Sequence, residues 1–164
     1  MLVSSTSKKI RQKLNLKRYL DELTVLIGRP VLAAELLSLE RTAEIQEAAK
    51  IFSAQDLTSS EIAFSEKYSE RFQVFLEKLS RSNSSPVYIW TSRTNDCGAF
   101  LTPSLSEIKF YFDFNVNEEG ILVILTKDLA DRLILDFFSL STGEQRLKIE
   151  TQGSKWGQIR IEDE

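Results

Sequence analysis

The sequence predicts an α+β fold, with N-terminal helices packed on one face of a C-terminal, mostly antiparallel β-sheet. Two observations carry this. Residues 1–80 space their apolar side chains at helical intervals, whereas residues 86–161 break into short alternating runs separated by turn residues. Strands joined by short turns pair as antiparallel meanders, and helices that all precede them form a separate layer. A chain of 164 residues is one domain in size, with 1–80 its helical part and 86–161 its β part.

The first helix is set by Ile10, Leu14, Tyr19, Leu20, Leu23, Leu26 and Ile27, with Gly28 as its stop. Its start is basic and serine-bearing, but DELTVLIG continues the same pattern, so it reads as a structural helix and not a transit peptide. Ile10, Leu14 and Leu20 are expected to point inward. Pro30 suits the first turn of a second helix through VLAAELLSL, and TAEIQEAAKIF continues after a break near Arg41–Thr42. Thr58-Ser59-Ser60-Glu61 has the form of a capping box and is expected to open a helix running to about Leu79. SRSNSSP is linker-like, and Pro86 ends any helix.

VYIWT then reads as a strand. IKFYFDF alternates, with Ile108, Phe110, Phe112 and Phe114 on one side and Lys109, Tyr111 and Asp113 on the other, and is expected to be a second strand. NVNEEG is a turn and ILVIL a buried strand. RLILDFF reads as a strand, although LADRLILDFF also fits a short helix. STGEQ turns the chain, RLKIET alternates, QGSK turns it again, and WGQIRI closes the domain.

The chain holds no histidine, which removes Ser-His-Asp and Cys-His catalysis, imidazole metal sites and the usual acid–base residue near neutral pH. Its one cysteine, Cys97, lies in NDCG, turn chemistry between VYIWT and a short strand AFLT. Arg93, four residues away, supplies charge but accepts no proton, so a structural thiol is expected. There is no P-loop, no GxGxxG and no calcium loop. No enzyme activity, cofactor or metal site is therefore expected. A hydrolase working through carboxylates alone stays open, because spacing does not reveal such pairs. A single cysteine suits a reducing compartment such as the cytoplasm, and no apolar run approaches the ~20 residues of a membrane span.

The net charge of −3 is unevenly spread. Residues 1–85 carry 13 Lys/Arg and 11 Asp/Glu, and residues 86–164 carry 8 and 13. Such an acidic β half attracts a basic partner and repels a phosphate backbone. The face of the sheet away from the helices is expected to carry Tyr111, Asp113, Ile134, Asp136, Phe138, Lys148 and Glu150, with Trp90 and Tyr88 beside them. Trp90, Tyr111, Asp113, Asp136 and Glu150 are the residues expected to bind a protein partner, as aromatic anchors among acids. The alternative is a nucleic-acid-binding or regulatory module led by Lys8, Lys9, Arg11, Lys13, Lys17 and Arg18. That helix interleaves no aromatic for base stacking.

VYIWT, EGILVIL, LILDFF and the closing Gly153-x-x-Trp156 of LKIETQGSKWG, set in a small, acidic, histidine-free chain, give it a family likeness over residues 86–161. This half resembles the immunity proteins of contact-dependent growth inhibition and other bacterial polymorphic toxin systems. The resemblance implies a protein that binds and neutralises a cognate toxin, often a nuclease with a basic cleft, without catalytic residues or cofactors of its own. It transfers no binding residue.

Overall fold

The computed structural model describes residues 5–162. Helices α1 (Ser5–Ile27), α2 (Leu39–Ala48), α3 (Glu70–Ser82) and the single turn α4 (Thr94–Cys97) accompany six strands. These are β1 (Thr58–Ala63), β2 (Val87–Trp90), β3 (Phe100–Thr102), β4 (Ile121–Thr126), β5 (Asp131–Ser139) and β6 (Gln145–Gly153). They form one sheet in the order β1-β6-β5-β4-β2-β3, with every neighbouring pair antiparallel. The class is α+β, and RLILDFF is a strand.

Alternation sorts the strands into two faces. Val87, Ile89, Phe100, Leu122, Ile124, Leu133, Leu135, Phe137, Leu147 and Ile149 point to the first face. There they join Tyr19, Leu23 and Leu26 of α1 and Phe72, Phe75 and Leu79 of α3 in one core. On the other face a smaller cluster gathers Ile45 of α2, Phe52, Tyr88, Ala99 and Leu125. Helix α2 and the 3-10 turn that follows it (Ala49–Ala54) thus cover one end of the second face.

Four sequence expectations change. Thr58–Ala63 does not start a helix. It pairs with β6 over six residues, from Thr58↔Thr151 to Ala63↔Arg146. Ladder hydrogen bonds and the burial of Ile62 outweigh a local cap, and Ser69, accepting from the Phe72 amide, caps α3 instead. The helical half therefore contributes an edge strand.

VLAAELLSL gives only the 3-10 turn Ala33–Glu35, held by the Arg29–Glu35 pair at 2.8 Å. Beyond it the chain extends so that the Leu37 amide reaches the Ala99 carbonyl at 2.9 Å. This approach needs Gly98, whose φ is +111°, since a Cβ there would stand 2.3 Å from the Leu37 carbonyl oxygen.

Ile10 and Leu14 do not point inward; they are 62% and 46% exposed. Among the described side chains from Ile10 to Arg18 only Asn15 and Leu16 are half-buried, and the fully buried face of the helix begins at Tyr19.

IKFYFDF is not a strand. Its alternation persists, with Ile108, Phe110 and Phe112 buried and Tyr111 63% exposed, but it has no place in the ladder. Lys67, which has no exposure, donates from its ammonium to the carbonyls of Phe110 and Phe112, and the Tyr68 hydroxyl adds a bond to Phe112 at 3.0 Å. The ammonium also stands 4.1 Å from the centre of the Tyr68 ring and 4.2 Å from that of Phe112. An extended segment has period two whether or not it pairs, so its pattern alone imitates a strand.

At the opposite end, buried Asp131 accepts from Asn83 at 2.7 Å and from the amides of Lys155 and Trp156 at 2.8 and 2.7 Å. The Trp156 indole donates to Leu79 at 2.9 Å, so the Gly153-x-x-Trp156 turn fastens α3 to the sheet.

Lys67→Met leaves the Phe110 carbonyl without its partner and should cost about 3 kcal/mol in urea unfolding. It should also open 108–114 to limited proteolysis. Gly98→Ala should cost at least about 1 kcal/mol, because the positive φ and the Leu37 carbonyl both oppose a side chain.

Candidate functional site

The uncovered end of the second sheet face is the first candidate. Across the strands, Trp90 faces Val123, Val123 faces Ile134, and Ile134 faces Glu150. In the next row Ile121 faces Asp136, Asp136 faces Lys148, and Lys148 faces Glu61. In the last, Phe138 faces Arg146. Directly opposed residues share a face, so Trp90, Ile121, Val123, Ile134 and Phe138 form a partly buried apolar strip with charged residues along one side. Helix α2 and its 3-10 turn lie over Tyr88, Leu125, Arg132 and Gln152, toward the other end of the same face, and Trp90 and Val123 pack against the edge of that covered cluster.

Three of the five expected binding residues, Trp90, Asp136 and Glu150, are brought together here. Tyr111 and Asp113 are not, because their segment lies outside the sheet. Tyr111 borders a groove of about 450 Å³ between α3 and residues 105–111. The face is also less acidic than expected. Lys148 meets Glu150 at 3.2 Å, and Arg146 meets Glu61 at 3.3 Å and Glu144 at 3.0 Å. Period-two reasoning placed Asp136, Lys148 and Glu150 on this face but did not reveal the pairing of Lys148 and Arg146 with the acids beside them.

Asp113 belongs to a second feature, a cleft of about 510 Å³ walled by α1, Arg93 and residues 113–118. Arg93 closely follows β2 and Asn117 closely precedes β4, so the cleft lies at the same end of the sheet as Trp90 and Ile121. One wall is Glu22, only 4% exposed. Its Oε1 accepts from Asn117 Nδ2 at 3.1 Å, while its Oε2 has no hydrogen-bond donor. Arg93 Nη1 stands 3.7 Å from that oxygen. Burial pushes the Glu22 carboxyl up to about 7, against the Asn117 bond and the charge of Arg93. Asn117 is fixed by its own turn, accepting from the Gly120 amide at 2.7 Å and donating to the Ile121 carbonyl at 2.9 Å.

Of this group the sequence marked only Asp113 as a site residue, and Arg93 only as a charge near Cys97. Glu22 falls between Tyr19 and Leu26 on the helical spacing of the buried side of α1, a signal of burial that its charge masks, whereas Asn117 in the turn-rich NVNEEG carries none.

Cys97 ends α4, and its half-buried thiol packs against the main core. Burial and then Asp96 push the thiol up, and Arg93 only partly offsets them. That is the opposite of an activated nucleophile. Lys67 has its ammonium pushed down to about 8 by burial, but it is sealed in the core. Among the described residues, no three His, Cys, Asp or Glu side chains cluster closely enough to hold a metal ion, and no helix is long and apolar enough to cross a membrane.

Glu22 yields a pH prediction. Its folded-state value lies above that of an unfolded glutamate, so the native state holds its proton more tightly. The stability it contributes is present in acid and is lost as pH rises from about 4.5 through about 7. Glu22→Gln should therefore raise the urea midpoint at pH 8 and leave it almost unchanged at pH 4. Comparison with protein-family models, with characterised proteins and with solved structures finds no match for this chain.

Proposed function

We propose that this chain is a non-catalytic binding protein that holds a protein partner on the uncovered end of its second sheet face. We propose further that it acts as an immunity protein, neutralising a cognate toxin. The observation that carries the binding reading is the strip of Trp90, Ile121, Val123, Ile134 and Phe138 with charged residues beside it. An aromatic anchor among aliphatic groups with a charged rim is the composition specific interfaces use. The acidic balance of residues 86–164 supports a basic partner, since it speeds the encounter at low salt. The toxin reading rests on the resemblance of residues 86–161 to immunity proteins. A nuclease toxin with a basic cleft fits the same charge argument.

The test is capture by the tagged chain from a lysate of its source cells, with a nuclease-treated control. One stoichiometric protein, retained after nuclease, is expected. Trp90→Ala should lower its recovery at least tenfold. Asp136→Lys should slow association and reverse the benefit of low salt. Equal recovery by both variants would remove this face from the proposal. Recovery that vanishes with nuclease would transfer binding to the exposed Lys13, Lys17 and Arg18 of α1.

A further inference from the structure

The cleft beside α1 holds six charged side chains and no tight ion pair among them. Arg93 lies 3.7 Å from Glu22 and 3.9 Å from Glu118, and Arg18 lies 4.0 Å from Glu118. None of these contacts reaches hydrogen-bond distance. Asp21 and Asp113, also on the wall, make no ion pair among the described residues. Four carboxylates against two guanidinium groups leave the cleft acidic. One carboxylate oxygen, Glu22 Oε2, is buried with no donor at all. A buried acceptor in that state is costly, and a native structure normally satisfies it.

We propose that this cleft receives the guanidinium group of an arginine side chain on the protein partner. The idea rests on the binding reading above and names the chemistry of one contact. A planar guanidinium carries five donors in a fixed fork, so it can bridge Glu22 with a second carboxylate where a single ammonium satisfies one. A volume of about 510 Å³ holds such a side chain without rebuilding the backbone. Arg93, with 13% of its side chain exposed, already stands over Glu22 and marks the position a guanidinium takes. Glu22 Oε2 is sealed beneath Arg93, so the incoming group reaches it as the Arg93 side chain turns toward Glu118, 3.9 Å away, and the surplus negative charge offsets their repulsion. The cleft lies at the end of the sheet where Trp90 and Ile121 lie, so one partner surface can engage both.

The probe is Nα-acetyl-arginine methylamide, titrated to tens of millimolar into the full chain and followed by amide NMR at pH 8, where Glu22 is ionised. Saturable shifts at Asn117, Gly120 and Arg93 are expected. The citrulline analogue, which has the same shape without the charge, should leave them unmoved. Glu22→Gln keeps the acceptor for Asn117 and should weaken the probe at least tenfold. Asp113→Asn, on an exposed loop position, should weaken it severalfold without touching the core. Absent shifts, equal shifts with citrulline, or unchanged binding in both variants would overturn the inference. If the probe fails while Trp90-dependent capture of a partner succeeds, this inference falls and the binding reading stands. If the probe binds and no partner is captured, the site is a guanidinium site and the binding reading falls.

Discussion

An ammonium group with no exposure to solvent must be matched by acceptors inside the protein, and here the backbone itself matches it. Lys67 donates to the carbonyls of Phe110 and Phe112 beneath a cluster of Phe64, Phe112, Phe114 and Phe137. Those carbonyls would otherwise need a neighbouring strand. With them satisfied, residues 108–114 lie across the first sheet face as a cover, and β4 is free to pair directly with β2. The rings of Tyr68 and Phe112 add cation–π attraction, which helps offset the desolvation of the charge. The same cover carries Asp113 and Asn117 to the end of the sheet, where they meet α1. The acidic cleft is thus lined in part by the segment that directly follows the carbonyls Lys67 holds.

Much of this was legible in the sequence. Strands with strong alternation or β-branched content, such as VYIWT, ILVIL and RLKIET, lie where their pattern puts them, because period two is fixed by backbone geometry. Gly28 stops α1, and NDCG turns the chain into β3. Two of the illegible parts share one cause, a distant partner overriding a local signal, whereas Ile10 and Leu14 follow a helical period that meets no core. Thr58-Ser59-Ser60-Glu61 looks like a cap until β6 supplies a ladder. IKFYFDF looks like a strand until Lys67, 43 residues away from Phe110, takes its carbonyls. For the site, the faces of Trp90, Asp136 and Glu150 followed from register within strands. Glu22 and Arg93 could not be joined from the sequence, because a helix and a loop after β2 meet only in the folded chain.

The two candidate surfaces complement one another physically. The strip around Trp90 offers apolar area, which supplies most of the free energy of association but little directional preference. The cleft offers a buried carboxylate and a half-buried guanidinium ringed by exposed charge, which discriminates because a wrong guest leaves ionised groups unmatched. A partner that fills both gains affinity from the first and identity from the second. Neither surface asks for a nucleophile, and the chain's single thiol is held away from reactivity by burial and by Asp96.

The central claim is that a protein partner covers the open end of the second sheet face. Hydroxyl-radical footprinting of the chain, free and with its captured partner, tests it most directly. Trp90 and Phe138 should lose reactivity when the partner is bound, while Tyr68 and Tyr111, on the loops covering the first face, keep theirs. Protection confined to Ile10, Leu14 and their basic neighbours on α1, with Trp90 unchanged, would contradict the account.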